Sequence, residues 1–202
     1  MKYLYCGTNK TALASQDQIA DALLALMKGK PYDEISVSEL CRCAGISRQT
    51  FYSLYQSKEN VVIRILQNYC CYLPAEHLPE KEYIAGEHSQ SACRMEIFCR
   101  DYCRYLTDHA DFIHLLVENN ITHLLYDSIY ESMNECGCFL GELNAEQRSY
   151  SAGFIASGFV GIAKVYVERD CEDGAEELAD TLISLFSGSL LHSLSDGIVI
   201  HH

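Results

Sequence analysis

Residues 35–61 read ISVSELCRCAGISRQTFYSLYQSKENV, and this stretch decides the fold. Ser36 and Glu39 have the spacing of a capping box, in which the serine accepts one free backbone N–H and the glutamate accepts another. This spacing predicts a short helix that begins after Ser36 and runs to Ala44. Gly45 supplies the tight turn that follows, because glycine adopts backbone conformations that other residues avoid.

A second short helix follows this turn. Ser47 is its predicted N-cap, and the helix is expected to run from Arg48 to Tyr55. Neither short helix shows the two-residue alternation of a β-strand. Two short helices joined by a turn of a few residues, after a longer helix, predict a helix-turn-helix.

Longer segments with helical periodicity flank the two short helices. The first is expected to start near Lys10 and to stop at Gly29. The fourth helix begins after Ser57, and Pro74 and Pro79 mark its end and a linker.

Apolar stripes at helical spacing continue to the C-terminal end of the chain. Asn144 is expected to cap a long helix that runs to about Arg169, and Asp173 with Glu176 to cap the last helix. Only three prolines occur in 202 residues, and few helix breakers favour long helices. The sequence therefore predicts an all-α protein.

One string of residues resembles a known family. Ala-Gly-Ile-Ser, two residues and then Thr-Phe-Tyr span Ala44 to Tyr52, and Tyr55 and the Ser-Lys-Glu beginning at Ser57 follow in order. Together with a suitable first helix, this string resembles the TetR family of transcription regulators. The resemblance covers about residues 9–70.

The resemblance implies both an architecture and a function. An N-terminal three-helix helix-turn-helix DNA-binding domain is expected over residues 1–56, followed over 57–202 by a helical effector-binding and dimerisation domain, with the helix after Ser57 connecting the two. The implied function is that of a sequence-specific, ligand-responsive repressor. Its implied partners are a palindromic double-stranded DNA operator, a second copy of the chain and a small-molecule effector.

The second short helix carries the expected contacts to DNA. Arg48 is placed to read guanine and Gln49 to read adenine in the major groove. The resemblance implies that Thr50 and Tyr52 hold phosphates, and Lys58 lies at a helix start, where an anion is favoured. The predicted DNA-binding residues are Ser36, Ser38, Ser47, Arg48, Gln49, Thr50, Tyr52 and Lys58.

The net charge of −13 is unevenly distributed along the chain. Residues 1–66 carry eight Lys and Arg against six Asp and Glu, whereas the remainder carries seven against 22. The first third is therefore mildly basic and the rest strongly acidic. If the protein binds DNA, this asymmetry indicates that the N-terminal part is the one that does so.

A stripe of small residues indicates where two copies pair. Gly153, Ser157 and Gly161 lie four residues apart, and small residues allow two helices to approach closely. The resemblance implies that the last two helices pair with their two-fold mates in a four-helix bundle. The predicted dimer interface comprises Gly153, Ser157, Gly161, Val165, Leu182 and Phe186.

The middle helices offer a set of aromatic side chains with polar tips. Such a set is suited to line a cavity for a small, largely apolar effector. The predicted effector-pocket residues are Tyr102, Tyr105, Phe112, His114, His123, Tyr126 and Tyr130.

Eleven cysteines keep a second hypothesis open, a regulator that senses a metal or the redox state. The candidates lack the paired C-x-x-C spacing of a structural zinc site; they are Cys41 with Cys43, Cys70 with Cys71, Cys99 with Cys103, and Cys136 with Cys138. Reduced, mostly buried thiols are the simpler interpretation, so no metal and no cofactor are expected.

Other function classes are disfavoured or remain alternatives. The sequence contains no Gly-rich phosphate loop, no Gly-x-Ser-x-Gly and no His-Glu-x-x-His, so an enzyme is not expected. No secretory signal is visible, and the best apolar stretch, 152–163, is too short to span a bilayer, which predicts a cytoplasmic protein without a membrane partner. A protein-interaction module that has lost DNA binding remains an alternative, because basic residues are few.

Overall fold

The computed structural model describes residues 9–70, 87–135, 140 and 143–187. Within these ranges the secondary structure is α-helical, with one 3-10 helix at Tyr32–Glu34 and no strand, which confirms the all-α prediction. The predicted linker at Pro74 and Pro79 lies outside the described residues. The helices are α1 (Lys10–Met27), α2 (Val37–Ala44), α3 (Arg48–Leu54), α4 (Lys58–Cys70), α5 (Glu87–Asp108), α6 (Ala110–Glu118), α7 (Thr122–Glu135), α8 (Ala145–Glu168) and α9 (Ala175–Phe186).

The chain folds into two compact units that do not follow a single boundary along the sequence. Unit 1 combines residues 1–72 with 111–129, and unit 2 combines 73–110 with 130–202. Unit 1 thus joins the helix-turn-helix to most of α6 and the first half of α7. The functional boundary expected after residue 56 remains a prediction.

Local capping explains the two short helices of unit 1. The Ser36 hydroxyl accepts the N–H of Glu39 at 3.2 Å, and the Ser47 hydroxyl accepts the N–H of Thr50 at 3.0 Å. Gly45 has a φ of 67°, the left-handed conformation that ends α2. The serine caps, the turn and the bounds of α2 are therefore confirmed. The reciprocal half of the capping box is not observed, because the Glu39 carboxylate pairs with the ammonium of Lys30.

The end of α3 differs from the prediction by one residue. The helix stops at Leu54, and Tyr55 adopts an extended backbone with φ −140°. This change of direction brings the ring of Tyr55 into the core, where it is 1% exposed. The core of unit 1 around it is built from Ile19, Leu23, Leu40, Phe51, Val61, Val62, Ile65 and Leu66.

Unit 2 is organised around aromatic rings carried by three helices. α9 packs along α5, and the ring of Phe159 in α8 lies 4.6 Å from the ring of Tyr102 and 5.4 Å from that of Phe186. The Tyr102 hydroxyl donates to the carbonyl oxygen of Phe159 at 2.7 Å. Because both groups are buried, this hydrogen bond satisfies a phenol that would otherwise be costly to desolvate.

Of the N-caps predicted for the last two helices, the one for α8 is confirmed and the one for α9 is wrong. Asn144 and Gln147 form the expected reciprocal capping box at the start of α8. The cap predicted for α9 is wrong, because its N-cap is Gly174 and makes no side-chain bond. Asp173 accepts two hydrogen bonds from Arg169 instead, at 2.7 and 2.9 Å. The Asp173 carboxylate is thereby engaged in the loop between α8 and α9, and no side chain caps α9.

We expect Gly45→Ala to lower the free energy of unfolding by about 1 kcal/mol, because an alanine side chain disfavours the left-handed conformation. A Cβ atom at this position would meet no atom within 4 Å, so the cost is one of backbone conformation alone. Urea titration measures the loss. Gly45→Asn should lose less, since asparagine tolerates this conformation, and an equal loss would contradict the explanation.

We expect Tyr55→Phe to leave stability unchanged or to raise it by up to about 1 kcal/mol. The phenol oxygen is buried, and no atom of the described structure is placed to hydrogen-bond it. Tyr102→Phe is the matched control, since it removes a hydroxyl that does donate a hydrogen bond. The control should lose about 1 kcal/mol on thermal or urea unfolding. The opposite order of the two variants would refute the assignment.

Candidate nucleic-acid interface

The exposed face of α3 is set by the residues that it buries. Phe51 is fully buried and Leu54 is 6% exposed, so these two side chains fix α3 against the core of unit 1. Arg48 and Gln49 then lie on the outer surface, and Tyr52 is 52% exposed. The helix therefore presents to solvent three of the side chains predicted to contact DNA.

Arg48 and Tyr52 lie next to each other on this surface. The guanidinium carbon of Arg48 is 5.9 Å from the centroid of the Tyr52 ring, within the range of a cation–π contact. The Tyr52 ring in turn meets the buried ring of Phe51 edge-on, with the centroids 5.4 Å apart. The core thus orients Tyr52, and Tyr52 orients the guanidinium of Arg48.

The hydroxyl groups predicted to contact DNA also serve the helix ends. Ser47 caps α3, and its oxygen lies 2.9 Å from that of Thr50. Ser36 caps α2, and Ser38 lies exposed in its first turn. Each capping hydroxyl keeps its own proton as a donor, so capping is compatible with a phosphate contact.

Lys58 is placed differently from the prediction. Its ammonium donates to the carbonyl oxygens of Tyr32 at 2.6 Å and Ile35 at 3.1 Å, and it lies 4.1 Å from the centroid of the Tyr32 ring. Two of its three N–H groups are thereby held within the protein. Lys58 fixes the turn before α2, and a phosphate contact would have to use the remaining N–H.

The small-residue stripe lies on a face of α8 that the described structure leaves uncovered. Ser157 and Gly161 are exposed, and Gly153 is half-buried. Two large side chains that the prediction did not include, Tyr150 and Phe154, are each 75% exposed on the same face. The sequence signal for the whole stripe is its helical periodicity. Spacings of four, seven and four residues separate Tyr150, Phe154, Gly161 and Val165.

The two members of the predicted interface in α9 are held within the subunit. Leu182 is 1% exposed, and Phe186 stacks on Phe159. Phe186 therefore contacts the inner side of α8, and Leu182 belongs to the core of unit 2. In α9 the large apolar side chain at the surface is Leu185, which is 38% exposed.

The predicted effector residues are divided between the two units. His114 is half-exposed and lies 3.2 Å from the Glu118 carboxylate, and His123 is exposed, so both lie on the surface of unit 1. Tyr102 belongs to the aromatic core of unit 2, and its hydroxyl is already bonded. Phe112 and Tyr105 are buried, and Tyr126 and Tyr130 are half-buried.

Two of the predicted cysteine pairs can be compared within the described parts of the chain, Cys41 with Cys43 in α2 and Cys99 with Cys103 in α5. Cys41 is buried and Cys43 is exposed, so the two thiols of α2 do not face one ligand. Burial raises the pKa of both Cys99 and Cys103 to about 12, which keeps these thiols protonated. Over the described ranges, no group of three or more His, Cys, Asp or Glu side chains is placed to hold a metal ion.

Two family profiles match the chain. Residues 19–65 match a profile described as "Bacterial regulatory proteins, tetR family", and residues 94–188 match one described as "Transcriptional regulator C-terminal region". The first match contains α2, α3 and the turn at Gly45. The second contains α6 to α9 and most of α5.

Curated relatives are similar over the N-terminal helices. DhaS of Lactococcus lactis, an "HTH-type dhaKLM operon transcriptional activator", is 39% identical over 59 residues, which are 29% of this chain and 32% of DhaS. EthR of Mycobacterium tuberculosis, an "HTH-type transcriptional regulator", is 43% identical over 61 residues, 28% of each chain. The match thus spans less than a third of either relative.

A solved structure extends the likeness to both units. NalD of Pseudomonas aeruginosa, described as "the secondary repressor of MexAB-OprM multidrug efflux pump", superposes with a TM-score of 0.57. The superposition covers 88% of this chain and 97% of NalD at 14% identity, which shows a shared fold.

The profile matches, the relatives and the geometry of α2 and α3 agree. A fully buried Phe51 and an exposed Arg48 give the second helix of the motif the orientation that a helix-turn-helix needs to enter a DNA groove. The chain belongs to the TetR family of transcription regulators.

Proposed function

We propose that the protein is a sequence-specific repressor that binds a palindromic operator as a homodimer and is released by a small-molecule effector. The observation that carries the proposal is the outer face of α3, where Arg48, Gln49 and Tyr52 are exposed together. Arginine and glutamine side chains read guanine and adenine edges in the major groove. We propose that the protein is located in the cytoplasm, where it would reach DNA.

The uncovered face of α8 supports the homodimer. Tyr150 and Phe154 are each 75% exposed and Val165 is 49% exposed, and they line one face with Ser157 and Gly161 between them. Large apolar side chains around small residues suit a second helix that approaches closely. Two copies related by a two-fold axis would cover both faces at once and would place two copies of α3 on one palindromic site.

By length and composition alone, α8 (Ala145–Glu168) could cross a membrane. Its other face, however, carries Ile155, Phe159 and Ala163 into the core of unit 2, where all three are buried. A helix that is half committed to a protein core fits a core helix with a partner on its outer side better than a lipid-facing span. We therefore favour a second copy of the chain over a bilayer.

The proteins that this chain resembles include both a repressor and an activator of transcription. NalD is described as a repressor, and DhaS as an activator. We propose repression with release by an effector, which we expect to be a small, largely apolar molecule. Selection of sequences from a random duplex library tests the central step. A failure of the protein to enrich any sequence would refute the proposal.

We expect Arg48→Ala to weaken binding to the selected duplex by about 1–3 kcal/mol, because one base-reading side chain is lost. Competition binding at two salt concentrations measures the change. Arg104→Ala is the matched control, since it removes the same charge from an exposed side chain in unit 2. Equal losses in both variants would assign the effect to net charge and would refute the reading role of α3.

We expect Phe154→Glu to weaken dimerisation by about 2 kcal/mol or more, because it places a charge from each copy in an apolar contact. Light scattering on a dilution series should show a shift to the monomer mass with an unchanged circular dichroism spectrum. Gln18→Glu adds the same charge on the exposed side of α1 and should remain dimeric. A dimer that persists in Phe154→Glu would exclude this face as the interface.

A further inference from the structure

The 3-10 helix between α1 and α2 is capped from a distant part of the chain. Its N-cap residue is Pro31, which provides no side-chain hydrogen bond. The free N–H of Tyr32 is accepted instead by the side-chain oxygen of Asn119, at 2.6 Å and 87 residues further along the chain. A buried N–H must find an acceptor, so this contact is part of how the turn is held.

Asn119 is itself oriented by the end of α6. Its side-chain nitrogen donates to the carbonyl oxygen of Leu115 at 2.9 Å. This bond turns the side-chain oxygen toward Tyr32, because an exchanged oxygen and nitrogen would place two donors face to face. The next residue, Asn120, has a φ of 56° and ends the helix. The orientation of Asn119 is therefore fixed by the turn between α6 and α7.

On its other side, Tyr32 is fixed to the helix-turn-helix. The ammonium of Lys58 at the start of α4 binds the carbonyl oxygens of Tyr32 and Ile35 and lies over the Tyr32 ring. Ile35 directly precedes Ser36, the N-cap of α2. A displacement of Tyr32 would therefore reach the first turn of α2, and through the turn at Gly45 it would reach α3.

We infer that Asn119 is a positioning residue for DNA binding, which sets the pose of α2 and α3 through Tyr32. The inference rests on the proposed function. Asn119 lies within residues 94–188, which match the profile of the C-terminal region, yet it packs in the unit that contains the helix-turn-helix. It is thus a point at which the C-terminal half of the chain holds the DNA-binding helices.

The first experiment uses the full-length protein without DNA. Asn119→Leu removes the acceptor and keeps a side chain of similar size, so the Tyr32 amide should exchange with solvent about tenfold faster or more, with shifted amide resonances in α2. Asn119→Asp loses the donor to Leu115 but keeps an acceptor oxygen for the Tyr32 N–H, and it should retain most of the protection. Asn120→Gly changes the same turn without touching Tyr32 and is the control. An unchanged Tyr32 amide in Asn119→Leu would overturn the inference.

The second experiment compares two DNA probes, the duplex selected by the wild type and a duplex of random sequence. Asn119→Leu should lower the ratio of the two affinities about three- to tenfold, the value of one hydrogen bond. Affinity for the random duplex should stay the same, because no cation is removed. Asn119→Asp should restore the ratio, which a general loss of stability would not allow. If Asn119→Leu does not fold, Asn119→Ala replaces it.

The outcomes separate this inference from the proposed function. A wild type that selects no sequence refutes the proposed function, and amide exchange still decides whether Asn119 holds Tyr32. A wild type that selects a duplex and an Asn119→Leu variant with an unchanged affinity ratio would refute the inference and leave the proposed function intact. An equal fall in Asn120→Gly would also refute it, because the effect would then belong to the turn as a whole.

Discussion

The exposed face of α3, which is the proposed DNA-binding surface, depends on the burial of Phe51. A helix of seven residues, the length of α3, is not stable alone in water, so its shape comes from packing. Phe51 is fully buried among the core residues of unit 1, with Leu54 beside it. Since the two side chains lie on one face, they leave Arg48, Gln49 and Tyr52 on the other. The same contacts that form the helix therefore decide which side chains can meet DNA.

α8 follows the same physical rule with a different partner. Its inner face carries Phe159 and Ala163 into the aromatic core of unit 2, whereas its outer face leaves Tyr150 and Phe154 in contact with solvent. The exposed face of α3 carries polar side chains, which water solvates when no partner is bound. The outer face of α8 carries large apolar side chains, which remain in contact with water unless a partner covers them. The proposed homodimer accounts for this difference, because a second copy of the chain would keep the apolar face of α8 covered, whereas the polar face of α3 tolerates water when DNA is absent.

Sequence alone could predict what is encoded by neighbouring residues. The bounds of α2, the caps Ser36 and Ser47 and the turn at Gly45 were predictable, because capping and left-handed turns are decided within four residues. The backbone acceptors of the Lys58 ammonium were not predictable, because they lie 23 and 26 residues away along the chain. Asn119 was missed for the same reason, since periodicity reports which face of a helix is buried and not which distant backbone group needs an acceptor.

The small number of cationic side chains on α2 and α3 relates the proposed DNA contact on α3 to the proposed dimer contact on α8. α2 and α3 supply two guanidinium groups, Arg42 and Arg48, both exposed, while the ammonium of Lys58 is engaged by backbone carbonyls. Each phosphate contact adds about 0.9 to the salt dependence of binding, so few cations imply a weak single head. Joining two heads makes the second contact intramolecular and raises the affinity without new contacts. In the proposed dimer, the outer face of α8 would therefore contribute to DNA binding by joining two copies of α3.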